Sequence, residues 1–170
     1  DVNNLVYLED TGEMRDGLTL REFKQDNGQF YGLEALAKWK RHATDFGDFD
    51  LRTGYDLARG ELDDGSNLPR ISPQRLTVGV DWGTGPWRAE VEWQRVFRQD
   101  RPAEFEGETP GYNLTHATLA YQFTLGQNWA EIFFQGRNLG DNEARVHTSA
   151  LREYAPLPGR NFRFGLRGSF

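Results

Sequence analysis

Polar and apolar residues alternate with a period of two along most of this chain, and almost nowhere with the period of a helix. In an extended segment Phe49, Leu51, Thr53, Tyr55 and Leu57 share one face, and Asp50, Arg52, Gly54 and Asp56 the other. Leu76, Val78, Val80 and Trp82 oppose Arg75, Thr77, Gly79 and Asp81 in the same way. So do Trp87, Ala89, Val91, Trp93 and Phe97 against Arg88, Glu90, Glu92, Gln94 and Arg98. Near the end, Phe162, Phe164, Leu166 and Phe170 oppose Arg163, Gly165, Arg167 and Ser169. The pattern predicts eight strands, near 2–9, 18–40, 48–59, 74–83, 87–99, 112–123, 129–138 and 161–170. The second is too long for one membrane crossing. Gln25-Asp26-Asn27-Gly28 has the composition of a turn and would split it into a hairpin, giving nine strands; one long strand projecting beyond a membrane is the preferred reading. Leu33 to Arg41 is the best helix candidate, but it continues the alternation and has no cap before it.

The predicted connections fall into two classes. Arg41 to Gly47, Gly83-Thr84-Gly85-Pro86 and Thr124 to Asn128 are tight and carry turn residues. Glu9 to Gly17, Gly60 to Pro73, Asp100 to Gly111 and Leu139 to Arg160 are longer. Short and long alternate, so one end of the sheet is trimmed and the other elaborated, as in transmembrane barrels with short inner turns and long outer loops.

A sheet with one oily and one charged face has two closed solutions. A soluble barrel turns the oily face inward, whereas a membrane barrel turns it outward around a polar lumen. The aromatic residues favour the second. Trp39, Phe46, Phe49, Trp82, Trp87, Phe123, Trp129 and Phe170 all fall beside the short turns or at the end of the last strand. A ring of such side chains at one height suits a membrane interface, where an apolar ring meets lipid and its N–H meets water. Trp39, Trp82, Trp87 and Trp129 are the candidate girdle. A soluble core would instead spread its aromatics along the strands.

Composition narrows the choice further. Aromatics are 14%, too many for a disordered chain. A net charge of -6 disfavours nucleic acid as a general partner, since phosphate binding needs a basic face. With no cysteine there is no disulfide framework and no thiolate metal site. No apolar run is long enough for a transmembrane helix, which leaves barrel strands untouched. No nucleophile elbow or His-Glu-x-x-His pattern occurs, and Gly83-Thr84-Gly85 lacks the helix and lysine of a phosphate loop, so an enzyme is not expected and no cofactor is implied.

Several stretches together resemble the C-terminal part of a TonB-dependent outer-membrane receptor. They are Asn3-Asn4-Leu5-Val6-Tyr7-Leu8, the Gly-x-Glu strand around Phe30-Tyr31-Gly32-Leu33-Glu34, and Leu68-Pro69-Arg70-Ile71-Ser72-Pro73-Gln74-Arg75. The closing segment adds Asn138-Leu139-Gly140-Asp141 and Pro158-Gly159-Arg160-Asn161-Phe162, and ends at Phe170. Its tail, with Gly165 and Phe170, resembles the signal read by the outer-membrane assembly machinery, although Gly168 stands where a bulky apolar residue is usual. The finer texture, with Thr109-Pro110-Gly111-Tyr112, is similar to the branch that includes zinc-uptake receptors. The resemblance implies an all-β, antiparallel up-and-down barrel segment spanning residues 1–170, belonging to a barrel of roughly 22 strands. It implies a Gram-negative outer membrane, contact with lipid, and a scarce metal or metal chelate as substrate. It also implies TonB as a partner, reached through a plug region to which nothing in these residues corresponds.

Candidate chemistry lies in the predicted outer loops. Arg145, His147, Arg152 and Tyr154 make a basic, hydrogen-bonding surface and are the expected substrate-binding residues. Arg160 has a plainer expected role, starting the last strand and pairing with a lumen carboxylate. A metal site joining His147 to Asp63, Asp64, Glu104, Glu106 or Glu108 lacks a convergent spacing, so a solvated acidic loop is the simpler expectation. His42 falls at a short turn and His116 in a strand. Two other architectures fit the same pattern: a complete eight-stranded outer-membrane barrel with a structural or adhesive role, and a soluble lipocalin-like carrier.

Overall fold

The computed structural model describes residues 1–169, apart from the side chain of Leu125. It is an all-β sheet of eight antiparallel strands in sequence order, with no helix among the described residues. The strands are β1 (Val2–Arg15), β2 (Leu18–Thr44), β3 (Gly47–Leu62), β4 (Arg75–Thr84), β5 (Trp87–Val96), β6 (Tyr112–Leu125), β7 (Asn128–Arg137) and β8 (Asn161–Gly168). Every predicted strand is present.

The first predicted connection differs from expectation. The segment after Glu9 continues as strand instead of forming a long loop. It ends in the two-residue turn Asp16-Gly17, both with positive φ (53° and 80°), which lets the strands twist into a tight hairpin. A bulge between Asp10 and Met14, with Gly12 at φ 76°, absorbs the extra residues on β1. The last predicted strand reaches Phe170, which lies outside the described residues. The β2 segment stays one strand of 27 residues, about 90 Å at the usual rise. A tilted crossing uses only about 10 residues, so its upper part stands clear of any bilayer.

Pairing register decides what each face of the sheet is made of. Across antiparallel strands, paired residues project to the same side. Trp39, Leu51, Val80, Val91, Ala117 and Gly136 form one such row. Phe49, Trp82, Ala89, Leu119, Phe134 and Phe164 form the next apolar row, nearer the tight turns. The alternation found in each strand is therefore in phase from β2 to β8, and one face is apolar throughout. Val80, Val91 and Leu166 on that face are 39%, 49% and 69% exposed, not gathered in a dry centre.

The opposite face carries ionic and amide groups linked between strands. Arg52 donates from Nη2 to Glu90 at 2.7 Å and its Nε lies 2.9 Å from Asp81. Arg75 Nε donates to Asp56 at 3.0 Å, Lys38 and Lys40 flank Asp50, and Arg167 Nε donates to Glu131 at 2.7 Å. Two edges remain. β1 pairs only with β2 and β8 only with β7, so among the described residues the sheet does not close. What little core exists lies among the long connections, around Leu68, Ala103 and Ala144.

If the apolar face meets lipid, Leu51→Arg, Val78→Arg and Val91→Arg should each cost about 2–4 kcal/mol near the bilayer midplane. Thr77→Arg, on the polar face, should cost far less. Reversible urea unfolding in lipid reads the difference, and equal costs on both faces would refute the facing.

Candidate functional site

The long connections 63–74, 97–111 and 138–160 lie at the end of the sheet opposite the tight turns, the same end as the β1–β2 tip. They pack against one another instead of standing apart. Asn67 Nδ2 donates to the Pro102 carbonyl at 3.2 Å, and Gln99 Nε2 to the Ile71 carbonyl at 2.7 Å, which joins the first two loops. Gln99 is 2% exposed, so that bond is shielded from water. Arg101 Nη2 adds a bond to Glu61 at 2.5 Å.

The centre of the cap is Glu106. Its carboxylate accepts from the Arg70 backbone N–H at 3.1 Å, the Ala103 N–H at 3.3 Å and Arg152 Nη1 at 2.8 Å. His147 Nε2 stands 3.5 Å away. One buried carboxylate thus ties three loops together. Burial pushes the Glu106 carboxyl up, but His147, the Arg70 amide and Arg152 outweigh it and hold the group down to about 2. Arg70 and Phe105, in the two loops around it, both adopt left-handed backbone (φ 59° and 60°), a conformation unfavourable for such side chains. The Arg70 conformation goes with an amide aimed at Glu106.

The four expected binding residues occupy two kinds of position. His147 and Arg152 are buried, His147 with Nδ1 3.1 Å from Thr109 Oγ1, and Arg152 on Glu106 and the His147 carbonyl. Arg145 donates to Glu143 at 2.7 Å and to the carbonyls of Arg152 and Glu153 at 2.6 and 2.7 Å, bracing its own loop. Tyr154 is exposed and donates to the Gly17 carbonyl at 2.6 Å. Between this loop and the sheet's polar face is a cavity of about 310 Å3 lined by Arg75, Gln94, Tyr112, Val146, His147 and Leu157.

Glu106 was not distinguishable in the sequence from its neighbours Glu104 and Glu108, and the expected solvated acidic loop is corrected at this position. Two of its partners, the Arg70 amide and Arg152, come from 36 and 46 residues away, and no local spacing announces them. Arg160 pairs with Asp141 within its own loop, 3.7 Å away, and not with a lumen carboxylate. Among the described residues no three His, Asp or Glu side chains converge as metal ligands. His42 stands at the short-turn end, 3.6 Å from Asp48. His116, on β6, accepts from the Asn138 N–H at 3.2 Å.

At the opposite end, Trp39, Trp82 and Trp87 lie on the apolar face beside the tight turns. Trp82 Nε1 donates to the Phe46 carbonyl at 2.7 Å, and Trp87 packs edge-on to Tyr121 at 4.7 Å. Trp129 stands at the same height but pairs with Thr124, which puts it on the polar-face positions. Gly165 faces Phe133, whose ring fills the space a Cβ would need, with Arg163 and Arg167 near that ring. Phe170 lies outside the described residues.

Residues 1–139 match the family model described as TonB dependent receptor-like, beta-barrel. The chain belongs to the TonB-dependent receptor family. Among solved structures it is similar to the copper transporter OprC, with a TM-score of 0.77 and 21% identity. That alignment covers 96% of this chain and 25% of the transporter, so the chain spans a quarter of that protein's length. At this identity the likeness establishes a shared fold.

The cap carries a pH signature. The Glu106 carboxyl ordinarily titrates near 4.5 and is held at about 2 in the folded cap. Its contribution to cap stability is therefore complete above the ordinary value, declines below it, and is gone once pH falls through about 2. Protection factors at the Arg70 and Ala103 amides, taken relative to the intrinsic exchange rate at each pH, should fall across that interval. Glu106→Ala leaves Arg152 buried without its carboxylate and should destabilise the cap by about 3–5 kcal/mol at neutral pH. Unchanged protection of both amides in that variant would remove Glu106 from its central place.

Proposed function

We propose that this chain supplies eight consecutive strands of the barrel of an outer-membrane TonB-dependent uptake receptor. Its cargo is a scarce metal or metal complex, siderophore-like or zinc-bearing. The observation that carries the reading is the in-phase register, which makes an apolar surface of one whole face and a charged wall of the other. Such a sheet needs lipid on one side and water on the other, as in the outer membrane of a Gram-negative bacterium. The unpaired edges of β1 and β8 favour a place within a larger barrel of roughly 22 strands over closure as an eight-stranded barrel. The exposed apolar face also disfavours the lipocalin-like carrier, which hides that face inside.

Transport, not catalysis, is the activity this arrangement serves. The lumen wall would surround a plug, and TonB would be reached through that plug, outside these residues. The assembly machinery would insert the barrel, guided by the end of β8. At the outer end, Arg145 and Tyr154 brace the surface of the loop through bonds within the chain, while His147 and Arg152 hold it in place around the cavity; together they are the proposed substrate-facing group. The metal class is supported by the name of the similar copper transporter and by the resemblance to zinc-uptake receptors, and the cargo is what the experiment must resolve.

Expression of the complete receptor in a Gram-negative host stripped of its own high-affinity metal receptors provides that experiment. Under chelation, growth and radiometal uptake should be restored for one metal or chelate, and restoration should vanish in a host without TonB. Uptake that persists without TonB, or no restoration with zinc, copper or ferric chelates, would contradict the proposal.

A further inference from the structure

The apolar face ends differently at its two borders. On the polar face, Asp48, Gly83, Arg88, Ala120, Phe133 and Gly165 form one hydrogen-bonded row. Residues an odd number of places from that row project to the apolar face. Within β3–β8 and the part of β2 paired to β3, that face carries few charged side chains. Arg41 stands alone beside the tight turns, two residues from Trp39 and opposite Phe49. At the border toward the long connections stand Arg59 and Arg95, with Glu61 just beyond Arg59. Between the two borders that face of these strands has no charged side chain.

The arginines at the second border are held in place without being neutralised. Arg59 donates to the Ala58 carbonyl at 3.3 Å. Arg95 donates to Asn113 Oδ1 at 3.4 Å, and its guanidinium lies over the Phe97 ring, 5.5 Å from the centroid. Among the described residues neither has a carboxylate within ion-pair distance. Arg101 joins them from the loop 97–111. Its Nη2 donates to Glu61 Oε1 at 2.5 Å, and Tyr31 Oη donates to the same oxygen at 3.0 Å. A guanidinium has five N–H groups, so this bond fixes Arg101 and leaves most of its donors unused. Three guanidiniums thus stand along this border against one carboxylate. They also stand at a similar level. Arg59 lies 11 residues above Asp48 and Arg95 lies 7 above Arg88, measured from the same row. Barrel strands tilt, and the tilt alone lowers a level line by about 2–3 residues over two strand spacings. The remaining difference is within the reach of an arginine side chain.

We infer that Arg59, Arg95 and Arg101 form a phosphate-binding border on the lipid-facing side of the sheet, occupied by the phosphorylated headgroup of an outer-leaflet lipid. The uncharged face begins directly below them, at Leu57, Leu76 and Trp93. Their level is therefore where acyl chains give way to headgroups, and there an arginine on the lipid side costs little. The planar guanidinium fork matches phosphate oxygens, and basic groups beside an apolar surface attract anionic headgroups. A lipid uses both features at once, with its chains on the apolar face and its phosphate on the arginines. A free phosphate ion would use only the second, which is why the lipid is the occupant. The border beside the tight turns, with Arg41 alone among tryptophans, offers no such cluster. This site rests on the facing of the apolar side to lipid and not on the uptake reading, so a receptor that imports nothing would still bind the lipid.

The complete receptor in dodecyl maltoside, a detergent without phosphate, can be titrated with lipid A and separately with its dephosphorylated form, and native mass spectrometry counts the lipids retained. Lipid A should bind the parent receptor at least tenfold more tightly than the dephosphorylated form. Arg59→Gln with Arg95→Gln should weaken lipid A binding about thirtyfold, as expected for two basic groups each worth roughly fivefold near an anionic headgroup. The same double variant should leave the weak binding of the dephosphorylated lipid unchanged, and Arg41→Gln should leave both unchanged. Excess inorganic phosphate should not displace lipid A. Equal retention of the two lipids by the parent receptor would overturn the phosphate site without recourse to any variant. Undiminished lipid A binding by the double variant would overturn its assignment to these arginines, and full displacement by inorganic phosphate would overturn the lipid as its occupant.

Discussion

Hydrogen-bond register is the constraint on which the rest of the structure depends. A slip of one residue in any strand would turn every side chain of that strand to the other face. Six successive pairings hold the apolar positions in phase, from Leu33 and Trp39 on β2 to Phe164 and Leu166 on β8. The result is a sheet with no conventional core. Its stability in place requires hydrocarbon against one face, and cross-strand ion pairs such as Arg52 with Asp81 and Glu90 on the other. The edges of β1 and β8 impose a further requirement, because unpaired backbone groups at bilayer depth must find partners.

The outer end is governed by a different balance. Loops tend to be solvated and variable because their backbone groups need partners. Here the partners are internal: Glu106 accepts from two backbone amides and Arg152, while Gln99 and Asn67 serve neighbouring carbonyls. Taking a carboxylate and a guanidinium out of water is costly, and the cost is offset only because the pair has further hydrogen bonds. This makes the cap dependent on one residue.

Much of the fold was legible in the sequence because strand faces are a local property. The alternation of Leu76 to Trp82, or of Trp87 to Trp93, is visible without knowing any partner, and register then has few ways to combine such strands. The turns were legible where glycine or proline marked them. The β1–β2 tip was misread because the strand pair continues through Thr11, Gly12 and Glu13, a polar and glycine-containing stretch that looks like a loop. Gln25-Asp26-Asn27-Gly28 looked like a turn and is strand, yet it falls at the level where β3 ends. At the site, His147 and Arg152 stood out by residue type, but their burial did not, since it is created by loops distant in sequence. Glu106 offered no local sign.

The central claim concerns which medium touches which face, and a nitroxide scan along β5 measures it directly. Labels placed one at a time from Ala89 to Gln94, in the complete receptor in lipid, report collisions with oxygen, which concentrates in the bilayer, and with a water-soluble nickel chelate. Positions 89, 91 and 93 should collide preferentially with oxygen and positions 90, 92 and 94 with the chelate, alternating with a period of two. The opposite phase, or no alternation, would contradict an apolar face turned to lipid around a wet lumen.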